Sequence, residues 1–349
     1  MKRPLRAHHT WRLLQVGGLK KNPFGLRDSE VQYARYNDYL ENDECTFIPF
    51  FCPNVGNKRN IVSTCLFKMR KGAYKRFERY VRGLSILNDN LPDGFQIQLF
   101  IDYSIYYDVP MFNRIRKLKS VCFVLFTCKK FKSTSLHHIG TFGTLVRYFP
   151  MFNFKNNDTN YVVVTDTDIK PFNDDNFNPL SYYYLFKEHT EDNKDSNKLY
   201  MFVAGGVRHA YLKNKLFINS DRYVKPYIIG DAVIGLKKFP NHIIDDFLKK
   251  QHTKKEVYEV YADYEDMKDT NKCEDYICFG HDEYFINEVL YEYALSHEYP
   301  IVTAFNHSIF YIFYYPKKSI YTDQNIFRSY VEYVLDGYQM EYKDKLKYI

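Results

Sequence analysis

Val162-Val163-Val164-Thr165-Asp166-Thr167-Asp168-Ile169 is a β-branched apolar run that ends abruptly in two carboxylates one residue apart. Together with Tyr161, residues 161–165 read as a buried strand, because β-branched side chains suit a pleated backbone and an unbroken apolar run is covered on both faces. The two acids then fall at the carboxyl end of that strand, where open α/β sheets bind their ligands. Brought together by a turn that begins at Thr165, hard oxygen donors of this kind suit Mg²⁺ or Mn²⁺ and can hold such a cation against a diphosphate. A bare Asp-x-Asp also serves as a polar turn closing a strand, and the residue types alone leave that alternative open.

Working outward, apolar strands alternate with helical spacing. Upstream, residues 61–67, 96–101 and 121–127 read as strands, the last almost continuously apolar. Between them lie a helix over 73–87, with Phe77, Tyr80, Val81 and Leu84 on one face, a turn over 88–94 and a helix over 111–118. A helix over 141–152 precedes the central strand. Downstream, 173–178 reads as a turn, 188–198 as a charged surface loop and 199–203 as a strand; 228–236 reads as a strand interrupted at Gly230-Asp231. Pro240 opens a helix to residue 251, and 253–275 is a charged, solvated excursion. Residues 281–294 are helical and 301–304 a short strand; the aromatic run 310–315 leaves its type open, and 325–335 is an amphipathic helix before a charged tail. Buried strands separated by helices predict an α/β fold with a mostly parallel sheet flanked by helices. Residues 1–58, with Gly17-Gly18, Asn22-Pro23 and Pro53-Asn54, show no sustained period and read as an irregular arm. The main domain then covers 59–318, and a C-terminal helix and tail cover 319–349.

Composition narrows the function. The 49 Lys and Arg residues outnumber the 42 Asp and Glu, which suits an anionic ligand, while the absence of a long block of one sign argues against a nucleic-acid tail. Tyr and Phe number 34 and 29, and their scatter along the chain is the pattern of core packing rather than of a sugar-stacking platform. Seven cysteines, at positions 45, 52, 65, 122, 128, 273 and 278, lack the paired spacings of a structural zinc site, so reduced thiols are expected. The basic N-terminus is followed by a segment, 11–17, too short and polar for a signal peptide, and no run of about 18 apolar residues offers a membrane span. These features together predict a cytoplasmic protein.

Four blocks in order across residues 60–310 carry a resemblance. They are Gly143-Thr144-Leu145-Val146-Arg147-Tyr148, the strand with Asp166 and Asp168, Gly230-Asp231-Ala232-Val233-Ile234-Gly235-Leu236-Lys237-Lys238-Phe239, and Asp282-Glu283-Tyr284-Phe285-Ile286-Asn287. The pattern resembles the retaining glycosyltransferases of the glycogenin and bacterial galactosyltransferase type, which have a GT-A, Rossmann-like fold. The third block is similar to the family's Asn-Ala-Gly-Val strand and Leu-Lys-Lys-Trp, with the asparagine and glycine replaced. In the fourth, Glu283 stands where the family has glutamine. The resemblance implies that Arg147 faces the sugar nucleotide and that Asp166 and Asp168 bind Mn²⁺ or Mg²⁺, Asp166 also reaching the ribose. It implies a third metal ligand at His307, although the glycine and Lys-Pro-Trp that follow the family's histidine are absent here. Lys317 and Lys318 stand in for the family's diphosphate-binding lysine. Asp231, Asp282 and Glu283 fall on the acceptor side. Thr64 and Cys65, at the end of the first strand, lie where such folds touch the nucleoside base.

The implied reaction moves a sugar from a nucleoside-diphosphate sugar, a UDP-sugar above all, to a hydroxyl of a glycan, protein or small-molecule acceptor, with retention. Each residue also has a plainer reading: Arg147 in a surface ion pair, His307 as a half-buried histidine, Asp282 as a helix cap, Thr64 and Cys65 as core. Inversion instead of retention would need a general base, which Glu283 or Asp231 would supply. Two rival functions remain. A haloacid-dehalogenase-like phosphatase would use Asp166 as nucleophile and Asp168 as acid, but Gly235 stands where its later acidic pair needs a second Asp, and residues 59–161 precede a motif that usually opens the domain. A non-catalytic carbohydrate-binding protein would keep the acids without turnover.

Overall fold

The computed structural model describes residues 45–50, 60–67, 74–128, 142–153, 159–169, 179–191, 200–204, 217–219, 223–225, 228–250, 281–305 and 312–314. The strands are β1 (Cys45–Phe50), β2 (Asn60–Leu66), β3 (Phe95–Ile101), β4 (Val121–Cys128), β5 (Val162–Val164), β6 (Tyr200–Ala204), β7 (Phe217–Asn219), β8 (Tyr223–Lys225), β9 (Ile228–Gly235), β10 (Ile301–Phe305) and β11 (Ile312–Tyr314). Nine of them form one sheet in the order β1-β4-β3-β2-β5-β9-β6-β10-β11, and β7 pairs separately with β8. β2 runs parallel to β3 and β5, and β3 to β4. β9 is antiparallel to both β5 and β6, and β6 is parallel to β10, so β6 and β10 point the same way as β2–β5. The edge strands β1 and β11 are antiparallel to their neighbours. The protein is therefore α/β, with a mixed, mostly parallel sheet flanked by helices.

Burial explains the layering. In β5, Val162 and Val164 face one core while Val163 faces the other, following the two-residue period of a strand. The first core packs against a 3₁₀ segment, Phe142–Met151, against α5 (Asn241–Lys249) and against α6, which spans 281–296. The second packs against α1 (Tyr74–Asp89), α2 (Tyr103–Tyr106), α3 (Val109–Ile115) and α4 (Pro179–Glu191). On α1 the residues spaced for one face, Val81, Leu84 and Leu87, are buried. Asp102 and Asp108 cap α2 and α3, accepting from the backbone N–H groups of Ser104 and Met111 at 2.9 and 3.1 Å.

Several elements differ from the sequence-based expectation. Cys45–Phe50, within the stretch that shows no sustained period, is an edge strand in register with β4. Residues 142–151 wind as a 3₁₀ helix rather than an α-helix. Pro150 lacks the N–H that an α-helix would use, and carbonyls of the segment are satisfied from outside: Ser63 Oγ donates to Arg147 O at 2.6 Å and Lys238 Nζ to Pro150 O at 2.8 Å. β9 continues through Gly230-Asp231 as one strand, but its pairing with β6 shifts register between Val233 and Ile228, so an irregularity does fall at the expected place. The helix Pro179–Glu191 takes in the start of the expected loop, and residues 312–314 of the aromatic run are a strand. Cys122, in β4, is disulfide-bonded, so the expectation of seven reduced thiols is corrected there, and the argument for a reducing compartment does not extend to it. No helix among the described residues is long and apolar enough to cross a membrane. Residues 173–178, 253–275 and 319–349 lie outside the described residues.

Candidate functional site

β5 carries the central acids to the carboxyl edge of the sheet. Its pairing extends one residue past the strand, where Thr165 N donates to Ser63 O at 3.0 Å, and the chain then bends at Thr167. An extended backbone would set residues 166 and 168 on one side. The bend instead gives them partners from opposite layers. Asp166 Oδ1 accepts a close hydrogen bond from Arg147 Nη1, on the 3₁₀ segment. Asp168 Oδ2 pairs with Arg79 Nη2, on α1, at 2.9 Å. Both acids remain open to solvent, with side chains 44% and 33% exposed.

Gly83 sets how closely α1 approaches this loop. A Cβ at that position would meet Thr167 O and would lie 2.6 Å from Ile169 N, and both are backbone atoms that no rotamer change can move aside. Gly83→Ala is therefore expected to destabilise. Overpacking typically costs about 1–3 kcal/mol, and a rigid backbone contact belongs at the top of that range. The helical preference of Ala returns about 1 kcal/mol. A net loss of about 2 kcal/mol in urea unfolding is the expected outcome, and wild-type stability would contradict the packing of α1 on the Thr167–Ile169 backbone.

Arg147 is the organising residue on the other layer. Its side chain is 1% exposed, and it reaches two acids that come from distant parts of the chain. Besides Asp166, Nη2 donates to Asp282 Oδ2 at 2.8 Å. The guanidinium carbon lies 5.3 Å from the centre of the Tyr148 ring, and the hydroxyl of Tyr148 is 3.5 Å from Nη2. Burial pushes the Tyr148 hydroxyl far above its ordinary value, so this neighbour stays neutral. Asp282 is the second residue of α6, where the helix dipole also favours a carboxylate. Its partner there is a side chain from the facing segment.

The other expected residues take varied places. Cys65 and Thr64 are both buried, on opposite faces of β2. Burial pushes the Cys65 thiol up to about 12, against a lowering by Arg147 and with smaller upward contributions from Asp282 and Asp102. That makes it a neutral thiol next to the acids, not a nucleophile. Glu283 follows Asp282 on α6, and its carbonyl accepts from Asn287 Nδ2 at 2.8 Å. The fully buried Asn287 also exchanges two hydrogen bonds of 2.8 Å with the N–H and C=O of Ile228, tying α6 to the first residue of β9. Asp231 lies on β9. Val233, two residues further along β9, pairs with Val164 of β5. His307, Lys317 and Lys318 lie outside the described residues.

Two residues near the acids escaped the sequence reading. Arg79 lies at the exposed border of the packed face of α1, where a cation is unremarkable, and only the Gly83 contact marks that helix as lying against the acid loop. Asp102 ends β3 at the same sheet edge, fully buried; the Asp-x-Ser sequence after an apolar strand is the capping signal that would have found it. Among the described residues no group of three or more His, Cys, Asp or Glu side chains is placed to hold a metal ion. Asp166 and Asp168 are the half-open carboxylates at this edge, each paired with an arginine from a different layer. Mg²⁺ is commonly held by one or two carboxylates with the remaining positions filled by water and phosphate oxygens, a ligand set to which a single half-open carboxylate such as Asp168 could contribute. No protein-family model and no curated protein matches the chain.

Proposed function

We propose that the protein is a metal-dependent glycosyltransferase of GT-A type, transferring a sugar from a nucleoside-diphosphate sugar, most simply a UDP-sugar, to a hydroxyl acceptor with retention. The observation that carries this reading is the cluster at the end of β5: Asp166 and Asp168 half-exposed at the carboxyl edge, with Arg147 joining Asp166 to Asp282. Mn²⁺ or Mg²⁺ bound by the two acids would supply charge neutralisation for the diphosphate leaving group. Asp168 serves as ligand and Asp166 as ligand or ribose contact. Arg147, buried and engaged by both acids, positions their carboxylates. Asp282, Glu283 and Asp231 take the acceptor side, where a carboxylate orients a sugar hydroxyl by hydrogen bonding. The resemblance described above supports retention, and His307 takes the third ligand position in the proposal.

Calorimetry with UDP tests the donor half. Affinity is expected to rise at least about tenfold when Mn²⁺ is added, since a contact between charged groups contributes about 1.5–3 kcal/mol. In Arg147→Ala the Mn²⁺-dependent gain should shrink, because Asp166 loses the partner that orients it. UDP binding indifferent to Mn²⁺, or absent in its presence, would remove the donor assignment.

A further inference from the structure

We infer that Arg79 is an additional determinant of the proposed cation site: its guanidinium neutralises Asp168 when no metal is bound, and the incoming cation competes with it for that carboxylate. The inference rests on the metal-dependent reading above and adds a residue that neither the sequence blocks nor the resemblance supplied. Three observations converge on it. Arg79 Nη2 lies 2.9 Å from Asp168 Oδ2, a full ion pair. Arg79 and Gly83 are four residues apart on α1 and so share a face, and Gly83 is where that helix meets the backbone of Thr167 and Ile169. The close approach thus holds Arg79 over the acid loop. The Arg79 side chain is 57% exposed, so it can leave Asp168 for solvent without disturbing the core.

The physical consequence is a linkage. A cation binding to Asp168 must first lose, in part, the free energy of the existing pair. Exposed ion pairs of this kind contribute about 0.2–1 kcal/mol, so the pair weakens metal affinity by a factor of roughly 1.5 to 5. Removing Arg79 should therefore tighten binding, the opposite of what is expected for a residue that merely supports the loop. Arg79→Lys retains the charge but loses the planar fork, and its affinity should fall between wild type and Arg79→Gln.

The test is direct titration of Mn²⁺ into the ligand-free full chain, with free Mn²⁺ followed by electron paramagnetic resonance, for wild type, Arg79→Gln, Arg79→Lys, Arg82→Gln and Asp168→Asn. Arg82→Gln makes the same charge change on the same helix at an exposed position and controls for long-range repulsion. The expected result is roughly 1.5- to 5-fold tighter Mn²⁺ binding in Arg79→Gln, with a smaller change in Arg82→Gln and markedly weaker binding in Asp168→Asn. Binding in Arg79→Gln that is unchanged or weaker, or an equal tightening in Arg82→Gln, overturns the role of Arg79 while the cation site stands. No Mn²⁺ binding in the wild type overturns the metal reading and the Arg79 role with it. Thermal melts of each variant in the absence of Mn²⁺ confirm that the compared chains are folded.

Discussion

Arg147→Met is expected to lower the free energy of unfolding by about 3–5 kcal/mol, the usual cost of removing one partner from a buried ion pair. The substitution keeps the apolar stem and removes the charge, so the loss reports electrostatics rather than a cavity. The two acids do not contribute equally. Asp166 is 44% exposed and recovers water when its partner is lost. Asp282 is 12% exposed and would be left with a stranded charge. The expected loss therefore resides mainly in the Arg147–Asp282 pair. Adding Asp282→Asn to Arg147→Met removes the stranded charge and should recover about 1–3 kcal/mol. Urea unfolding of wild type, both single variants and the double variant measures this coupling, with an unchanged m-value confirming that the compared states are alike. A loss below about 1 kcal/mol in Arg147→Met, or no recovery in the double variant, would mean that this pair is solvated and that Arg147 does not organise the site.

That pair also shows which parts of the molecule are legible in the sequence. β2, β3, β4 and β5 can be read directly, because strands covered on both faces leave unbroken apolar runs. The direction of β9 cannot: a strand buried between two neighbours has the same composition whichever way it runs, and only its pairing with β5 and β6 distinguishes the two. In the 3₁₀ segment Phe142–Met151, Pro150 is a local signal, whereas the hydrogen bond that Ser63 donates to Arg147 O comes from a different strand, and local propensity carries no trace of it. In α4, the run Tyr182-Tyr183-Tyr184 has the composition of a strand, and the helix is set by burial of Tyr182, Tyr183 and Phe186 against the sheet. At the site, Asp166 and Asp168 are visible because acids after a β-branched run are conspicuous. Of their partners, the resemblance singles out Arg147 but not its pairing with Asp166, and nothing local marks Arg79, since the two arginines reach the acids from different elements on opposite layers. Asn287 illustrates the converse. The resemblance singles it out by position, and its observed work is to join α6 to β9 through two hydrogen bonds to Ile228, which holds Asp282 where Arg147 can reach it.

Asp168→Asn separates function from fold most cleanly. Its side chain is one-third exposed and its partner Arg79 is more than half exposed, so the pair contributes at most about 1 kcal/mol to stability. Asn fills nearly the same volume, and the melting temperature should move by only a few degrees for a change of that size. The effect on turnover is expected to be far larger. Charge stabilisation by a bound metal is worth several kcal/mol in the transition state, and each 1.36 kcal/mol lost is a factor of ten in rate. With one of its two carboxylates neutral, the proposed site should lose at least about a hundredfold in Mn²⁺-dependent hydrolysis of a nucleotide sugar. Raising the Mn²⁺ concentration should recover little of it if the loss lies in the chemical step, because saturating a weakened site restores occupancy but not the missing carboxylate. Three measurements on one variant decide the matter: the hydrolysis rate at low and saturating Mn²⁺, Mn²⁺ affinity, and the thermal melt. Near-wild-type turnover in a folded Asp168→Asn protein would leave Asp166-Thr167-Asp168 as a polar turn closing β5, with Arg79 and Arg147 as its structural counter-ions.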